Sequence, residues 1–228
     1  MRNINPPADI TLLNELFSWL EVPRLLARSP HLLNGPRGKG ERVIVLPGFG
    51  AGDLSTLPLR RYLSSLGYRV RGWSKGQNNA EVLYLIDEMR ELTLREAAAS
   101  GDPVTLIGWS LGGYIAREVA REIPESVRTV ITLGSPVVGG PKYTRVAPVF
   151  TGGEIDLDEI EREIDRRANT PLKVPVTAIY SKFDGIVAWE ACIDQRSDCV
   201  EHIEVAASHL GLGISADVYQ IIAEKLAA

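Results

Sequence analysis

Cysteine and histidine are scarce in this 228-residue sequence: two of the first, Cys192 and Cys199, and three of the second, His31, His202 and His209. So few cysteines exclude a disulfide-stapled scaffold. Cys192 and Cys199 lie close together in a polar segment and read as free thiols in a reducing cytoplasm. A local disulfide closing a small loop is the alternative. With His202 alone beside them they make a poor zinc site, so no metal is expected. An excess of positive charge is lacking too. The 25 Lys and Arg residues stand against 29 Asp and Glu, a net charge of −4. Phosphate-binding proteins leave a basic footprint, so nucleic acid is not expected as a partner. No stretch approaches the roughly 18 consecutive apolar residues of a membrane span. Residues 1–9 lack the apolar core of a secretion signal, so a cytoplasmic location is expected. There is no internal repeat and no low-complexity tract.

What is present is an alternation. Residues 1–40 come first, with apolar residues such as Leu13, Leu16, Leu20 and Leu25 mostly three and four apart. The spacing predicts two short helices broken at Pro23. Short apolar runs then predict strands at 43–46, 68–73, 104–107, 127–133, 174–180 and 203–205. Helical stretches fall between or after them at 54–66, 80–100, 112–122 and 212–226. Strands this uniformly apolar, alternating with helices, predict the α/β class: one domain whose mainly parallel central sheet is covered on both faces. Residues 139–172 break the rhythm. They are rich in Gly and Pro, then carry a charged helix with Leu157, Ile160 and Ile164 on one stripe. That helix either packs down on the core or forms a lid with its apolar stripe over a site.

One segment carries chemistry on its face. Gly108-Trp109-Ser110-Leu111-Gly112 follows an apolar strand and opens a helix. A turn that sharp strains the serine, exposes its hydroxyl at the carboxyl end of the sheet and sets it over a helix N-terminus. A nucleophilic serine needs a base, and the base needs an orienting acid. Of the three histidines, His209 follows the last predicted strand and precedes the last helix, where a base can reach Ser110. His31 lies before any strand, and His202 reads as a half-exposed surface residue. Asp184, in Asp184-Gly185 just past the strand at 174–180, is the candidate acid. A turn-forming Asp-Gly pair is the bland alternative. Asp194 and Asp198 read as solvated loop carboxylates. Two amides are candidates for an oxyanion hole: Leu111, at the start of the helix after Ser110, and Phe49, in the glycine loop Pro47-Gly48-Phe49-Gly50-Ala51-Gly52 after the first strand.

From about Arg42 onward, these motifs in this order resemble the α/β-hydrolase superfamily. Pro47-Gly48-Phe49-Gly50, Gly72-Trp73 with Asn78, and Ser208-His209-Leu210-Gly211-Leu212-Gly213 resemble compact bacterial esterase- and lipase-like members. The resemblance implies a triad of Ser110, Asp184 and His209, oxyanion amides of Phe49 and Leu111, and no cofactor. Pro47-Gly48 departs from the His-Gly that many members carry there. Trp109, Gly48 and Asn78 are expected to border a pocket for an apolar acyl group. The function expected is hydrolysis of a small-molecule carboxylic ester. An acyltransferase using the same acyl-enzyme, or a binding module on a hydrolase fold, are the alternatives. The N-terminal segment is expected to dock beside the site rather than expose Leu16, Phe17, Trp19 and Leu20 to a membrane surface.

Overall fold

The computed structural model describes residues 4–148 and 156–228. Six strands, β1 (Arg42–Leu46), β2 (Arg69–Gly72), β3 (Val104–Trp109), β4 (Val127–Leu133), β5 (Val176–Tyr180) and β6 (Val200–Glu204), form one sheet in the order β2-β1-β3-β4-β5-β6. Every pairing is parallel. Successive side chains of a strand face opposite sides of the sheet, and both sides here are dry. Val43, Val45, Ile107, Ile131 and Ile179 face one core, closed by helices α2 (Glu21–Leu33), α3 (Leu57–Ser65) and α8 (Ala216–Ala227). Ile44, Leu46, Leu106, Val130 and Val176 face the other, closed by α4 (Val82–Ser100) and α5 (Leu111–Glu122). This is why the inner strands β1, β3, β4 and β5 read as largely apolar runs.

The strand order reverses direction between β1 and β3. Loops leaving the carboxyl ends of two such strands diverge and open a crevice, the usual ligand site of an open parallel sheet. The glycine loop follows β1 and Ser110 follows β3, so both meet at that point.

Two appended segments complete the chain. The N-terminal one forms α1 (Asp9–Leu16), a 3-10 turn at Ser18–Leu20, and α2. The break falls at residues 17–20, not at Pro23. Pro23 sits in the first turn of α2, where its missing N–H has no intrahelical partner to lose. The segment docks through Leu32 and Leu25, which pack into the first core, and through polar contacts: Arg24 donates to Asp217 at 2.7 Å, and Arg28 pairs with Asp217 and Gln220 of α8. Ile10, Leu16, Phe17, Trp19 and Leu26 stay exposed. The second segment contributes α6 (Leu157–Arg167). Its tethers are ionic: Lys142 to Asp158 and Glu161, and Arg167 to Glu118 and Glu122. Residues 149–155 of the expected lid lie outside the described residues.

The last helix, expected at 212–226, begins four residues later as α8, and a separate short helix α7 (His209–Leu212) precedes it. Cys192 and Cys199 are free thiols. Asp194 is buried, not solvated: its carboxylate meets the buried Arg117 guanidinium at 2.5 Å and accepts the Arg196 N–H at 2.8 Å. The charge of Arg117 holds the Asp194 carboxyl below its ordinary range despite the cost of burial. Among the described residues no helix is long and apolar enough to cross a membrane.

Candidate active site

Ser110 joins β3 to α5 with φ 53° and ψ −123°. A residue with a Cβ is strained there by about 1–3 kcal/mol, so the surroundings must hold it. Its N–H donates to the Leu133 carbonyl at 2.8 Å. The glycines around it are required by contact. A Cβ on Gly108 would stand 2.3 Å from the Gly112 carbonyl oxygen, one on Gly112 2.6 Å from the carbonyl oxygens of Leu46 and Pro47, and one on Gly113 2.0 Å from Ser135 Oγ. Leu111 is the first residue of α5. Its N–H belongs to the helix end that has no intrahelical acceptor, where the helix dipole favours negative charge.

The glycine loop lies against this elbow. A Cβ on Gly48 would come within 3.2 Å of Ser110 Cβ. Asn78, fully buried, braces the loop. Its side-chain amide donates to the Pro47 carbonyl at 3.0 Å, its N–H donates to Ala51 at 2.8 Å, and its carbonyl accepts the Gly50 N–H at 2.8 Å. Gln77 adds a bond to the Gly50 carbonyl at 2.7 Å. Asp53 ties the same stretch to the end of β2 by accepting the N–H groups of Trp73 and Ser74 at 3.0 and 3.1 Å. The backbone that presents Phe49 is therefore fixed from several sides.

Asp184 and His209 meet at the next strand end. Asp184 Oδ2 and His209 Nδ1 are 2.6 Å apart, and both residues are 4% exposed. Asp184 Oδ1 accepts the N–H groups of Ile186 and Val187 at 2.8 and 2.7 Å, which fixes the carboxylate plane. His209 opens α7, capped by Ser208 Oγ accepting the Gly211 N–H at 3.1 Å. The Trp109 indole N–H donates to the His209 carbonyl at 3.2 Å, linking the histidine to the residue before Ser110. Burial disfavours the imidazolium, but the Asp184 charge and hydrogen bond and the Glu15 charge outweigh it. The His209 pKa therefore lies above its ordinary 6.5.

Two residues here were not singled out by the sequence. Gly134, after β4, has φ +54°, and a Cβ on it would sit 3.0 Å from Asp184 Oδ2 and 3.1 Å from His209 Nδ1. Glu15 of α1 accepts N–H groups from both the Asp184 loop and the start of α7. A glycine just past a predicted strand is a faint signal for the first. An acid among the apolar residues of the last turn of α1 is the signal for the second.

A cavity of about 780 Å³ opens at Ser110, with Phe49 and Leu111 beside it. This lies within the usual range for small-molecule sites. Its apolar wall comes from Val82 and Leu83 of α4, Tyr114 of α5, and Ile160 and Ile164 of α6, with α6 charges such as Glu159 and Arg162 also lining it. Trp109, Gly48 and Asn78 do not line it. Trp109 packs on Gly213, whose added Cβ would be 3.0 Å from the indole. Among the described residues no group of three or more His, Cys, Asp or Glu side chains is placed to hold a metal ion.

Residues 18–157 match the model of the alpha/beta hydrolase fold family. No curated protein matches the chain in sequence. Among solved structures, the chain is similar to a lipase-esterase related protein from Clostridium acetobutylicum (TM-score 0.59, 18% identity, 84% of this chain and 96% of that one). It is similar to a thermophilic esterase from Thermogutta terrifontis (TM-score 0.58, 18% identity, 83% and 90%). It is also similar to a thioesterase domain from the curacin biosynthetic pathway (TM-score 0.55, 13% identity, 85% and 93%). At these identities the likeness is one of fold. The chain belongs to the α/β-hydrolase family.

Proposed function

We propose that this α/β hydrolase cleaves carboxylic esters bearing an apolar acyl group, through an acyl-enzyme at Ser110. Ser110 Oγ attacks the ester carbonyl, and its proton passes to His209 Nε2. Asp184, bonded to Nδ1, selects the tautomer that leaves Nε2 free to accept and stabilises the imidazolium that forms. The N–H groups of Leu111 and Phe49 take the oxyanion. As the tetrahedral intermediate collapses, the C–O bond to the alcohol breaks and His209 returns the proton to that oxygen. Water then attacks the acyl-enzyme by the same route, the carboxylic acid leaves, and Ser110 regains its proton.

The observation that carries this reading is the strained φ of Ser110 at the opening of a largely apolar cavity. Backbone strain of this kind persists only where the surroundings over-determine it, and it concentrates at functional sites. The apolar wall supports an acyl group over a polar one.

A fluorophosphonate probe tests the nucleophile. It is expected to form one covalent adduct, which peptide mapping locates on Ser110. An unlabelled Ser110 in folded protein overturns the proposal.

A further inference from the structure

Glu15 is 8% exposed, on a helix otherwise rich in exposed apolar residues. A buried carboxylate is costly unless its lone pairs are satisfied, and here they are satisfied in a telling way. Oε1 accepts the N–H of Gly185 at 2.9 Å and that of His209 at 2.7 Å, and Oε2 accepts the N–H of Leu210 at 2.8 Å. Gly185 follows Asp184 directly, and His209 and Leu210 open α7, where N–H groups lack intrahelical acceptors. One side chain therefore holds, by three bonds, both backbone segments that carry the acid–base pair. The rest of α1 supports the same grip. The Asn14 side chain donates to the Phe183 carbonyl at 3.1 Å, and a Cβ on Gly185 would lie 2.4 Å from the Thr11 carbonyl oxygen.

We infer that Glu15 is a positioning residue that sets the distance between Asp184 and His209 from outside the sheet, making the N-terminal helix part of the hydrolytic machinery. The inference rests on the esterase reading for the roles of that pair. Mechanically, a carboxylate bonded to both loops resists their separation. Catalysis by a positioned base is sensitive to displacements of an ångström or less. Electrostatically, Glu15 adds a second negative charge beside the imidazole, which already faces Asp184 from the loop after β5. Glu21 of α2 packs near Gly211, one turn farther on. Burial and the Asp184 charge push up the pKa of the Cys192 thiol.

The test is Glu15→Gln, which keeps the shape, removes the charge and turns one acceptor into a donor. With ester substrates, kcat is expected to fall roughly 10–100-fold while KM stays within about twofold. In an NMR titration the His209 ring is expected to change charge at lower pH in the variant than in the wild type, because one neighbour that favours the imidazolium is gone. Unchanged kcat together with an unchanged His209 titration overturns the inference. A second measurement needs no variant and holds even if Glu15→Gln fails to fold. In the wild-type protein the amides of Gly185, His209 and Leu210 are expected to exchange with solvent as slowly as those of the central strands. Rapid exchange there overturns the inference. Titration and exchange need no substrate, so a protein inactive on esters would refute the esterase reading while leaving Glu15 to be decided by these two results.

Discussion

The two segments appended to the sheet meet different parts of the site. The N-terminal segment reaches the proposed acid–base pair: α1 bonds to the main chain beside Asp184 and at His209. The second segment reaches the space in front of the proposed nucleophile: Ile160 and Ile164 of α6 line the cavity that opens at Ser110. Their modes of attachment differ as well. α1 is held by buried hydrogen bonds to backbone, whereas α6 is tethered by ion pairs, some partly exposed, such as Lys142–Asp158 and Arg167–Glu122, and one to the buried Glu118. Exposed pairs of this kind contribute about 0–1 kcal/mol each and weaken with salt. The contrast suggests a division between how fast the centre works and which molecule it accepts. Changes on the α1 side should scale all substrates together, and changes on the α6 side should reorder them.

The strongest way to break that division is at Gly134. Gly134→Val puts a branched side chain at a positive φ, against Leu212, Asp184 Oδ2 and His209 Nδ1. Turnover is expected to fall by roughly 100-fold or more, by the same factor for short and long acyl chains. Stability should drop by about 1–3 kcal/mol. Steady-state kinetics on an ester series and a thermal melt check both. A loss confined to long chains would erase the distinction between the two sides.

A smaller effect sharpens it. Ile160 is partly exposed and lines the cavity, so Ile160→Ala should leave the fold intact. The ratio of kcat/KM for long over short acyl esters is expected to fall roughly 10-fold, the scale of a few methylenes of apolar contact. The His209 titration should not move. An unchanged ratio would mean that α6 does not contact the acyl group.

Much of this was legible in the chain because it is written locally. The inner strands are largely runs of adjacent apolar residues, so the parallel sheet and its order of elements could be read directly, with ends moved by a few residues. Ser110, Asp184 and His209 stand just past such runs, which is why their sequence positions pointed to one end of the sheet. The rest depends on partners far away in sequence. Glu15 lies 170 residues from Gly185 and 194 from His209, and no local pattern announces such a contact. Asn78 resembled a pocket residue by its neighbours in sequence, yet its amide braces the carbonyl of Pro47, 31 residues earlier. Asp194 looked like a loop acid because its surroundings are polar, and its burial follows from Arg117, 77 residues away. Pro23 falls in the first turn of α2, where proline opens a helix rather than breaking one, so the break lies upstream at Ser18–Leu20.

Hydrolysis of p-nitrophenyl esters from short to long acyl chains, by wild-type protein and by Ser110→Ala in parallel, bears most directly on the central claim. Wild-type protein is expected to turn over the series with a preference for acyl chains that fill the apolar cavity. The variant should lose roughly 10⁴-fold or more in kcat on every member. Wild-type activity no greater than that of Ser110→Ala on any ester would contradict it.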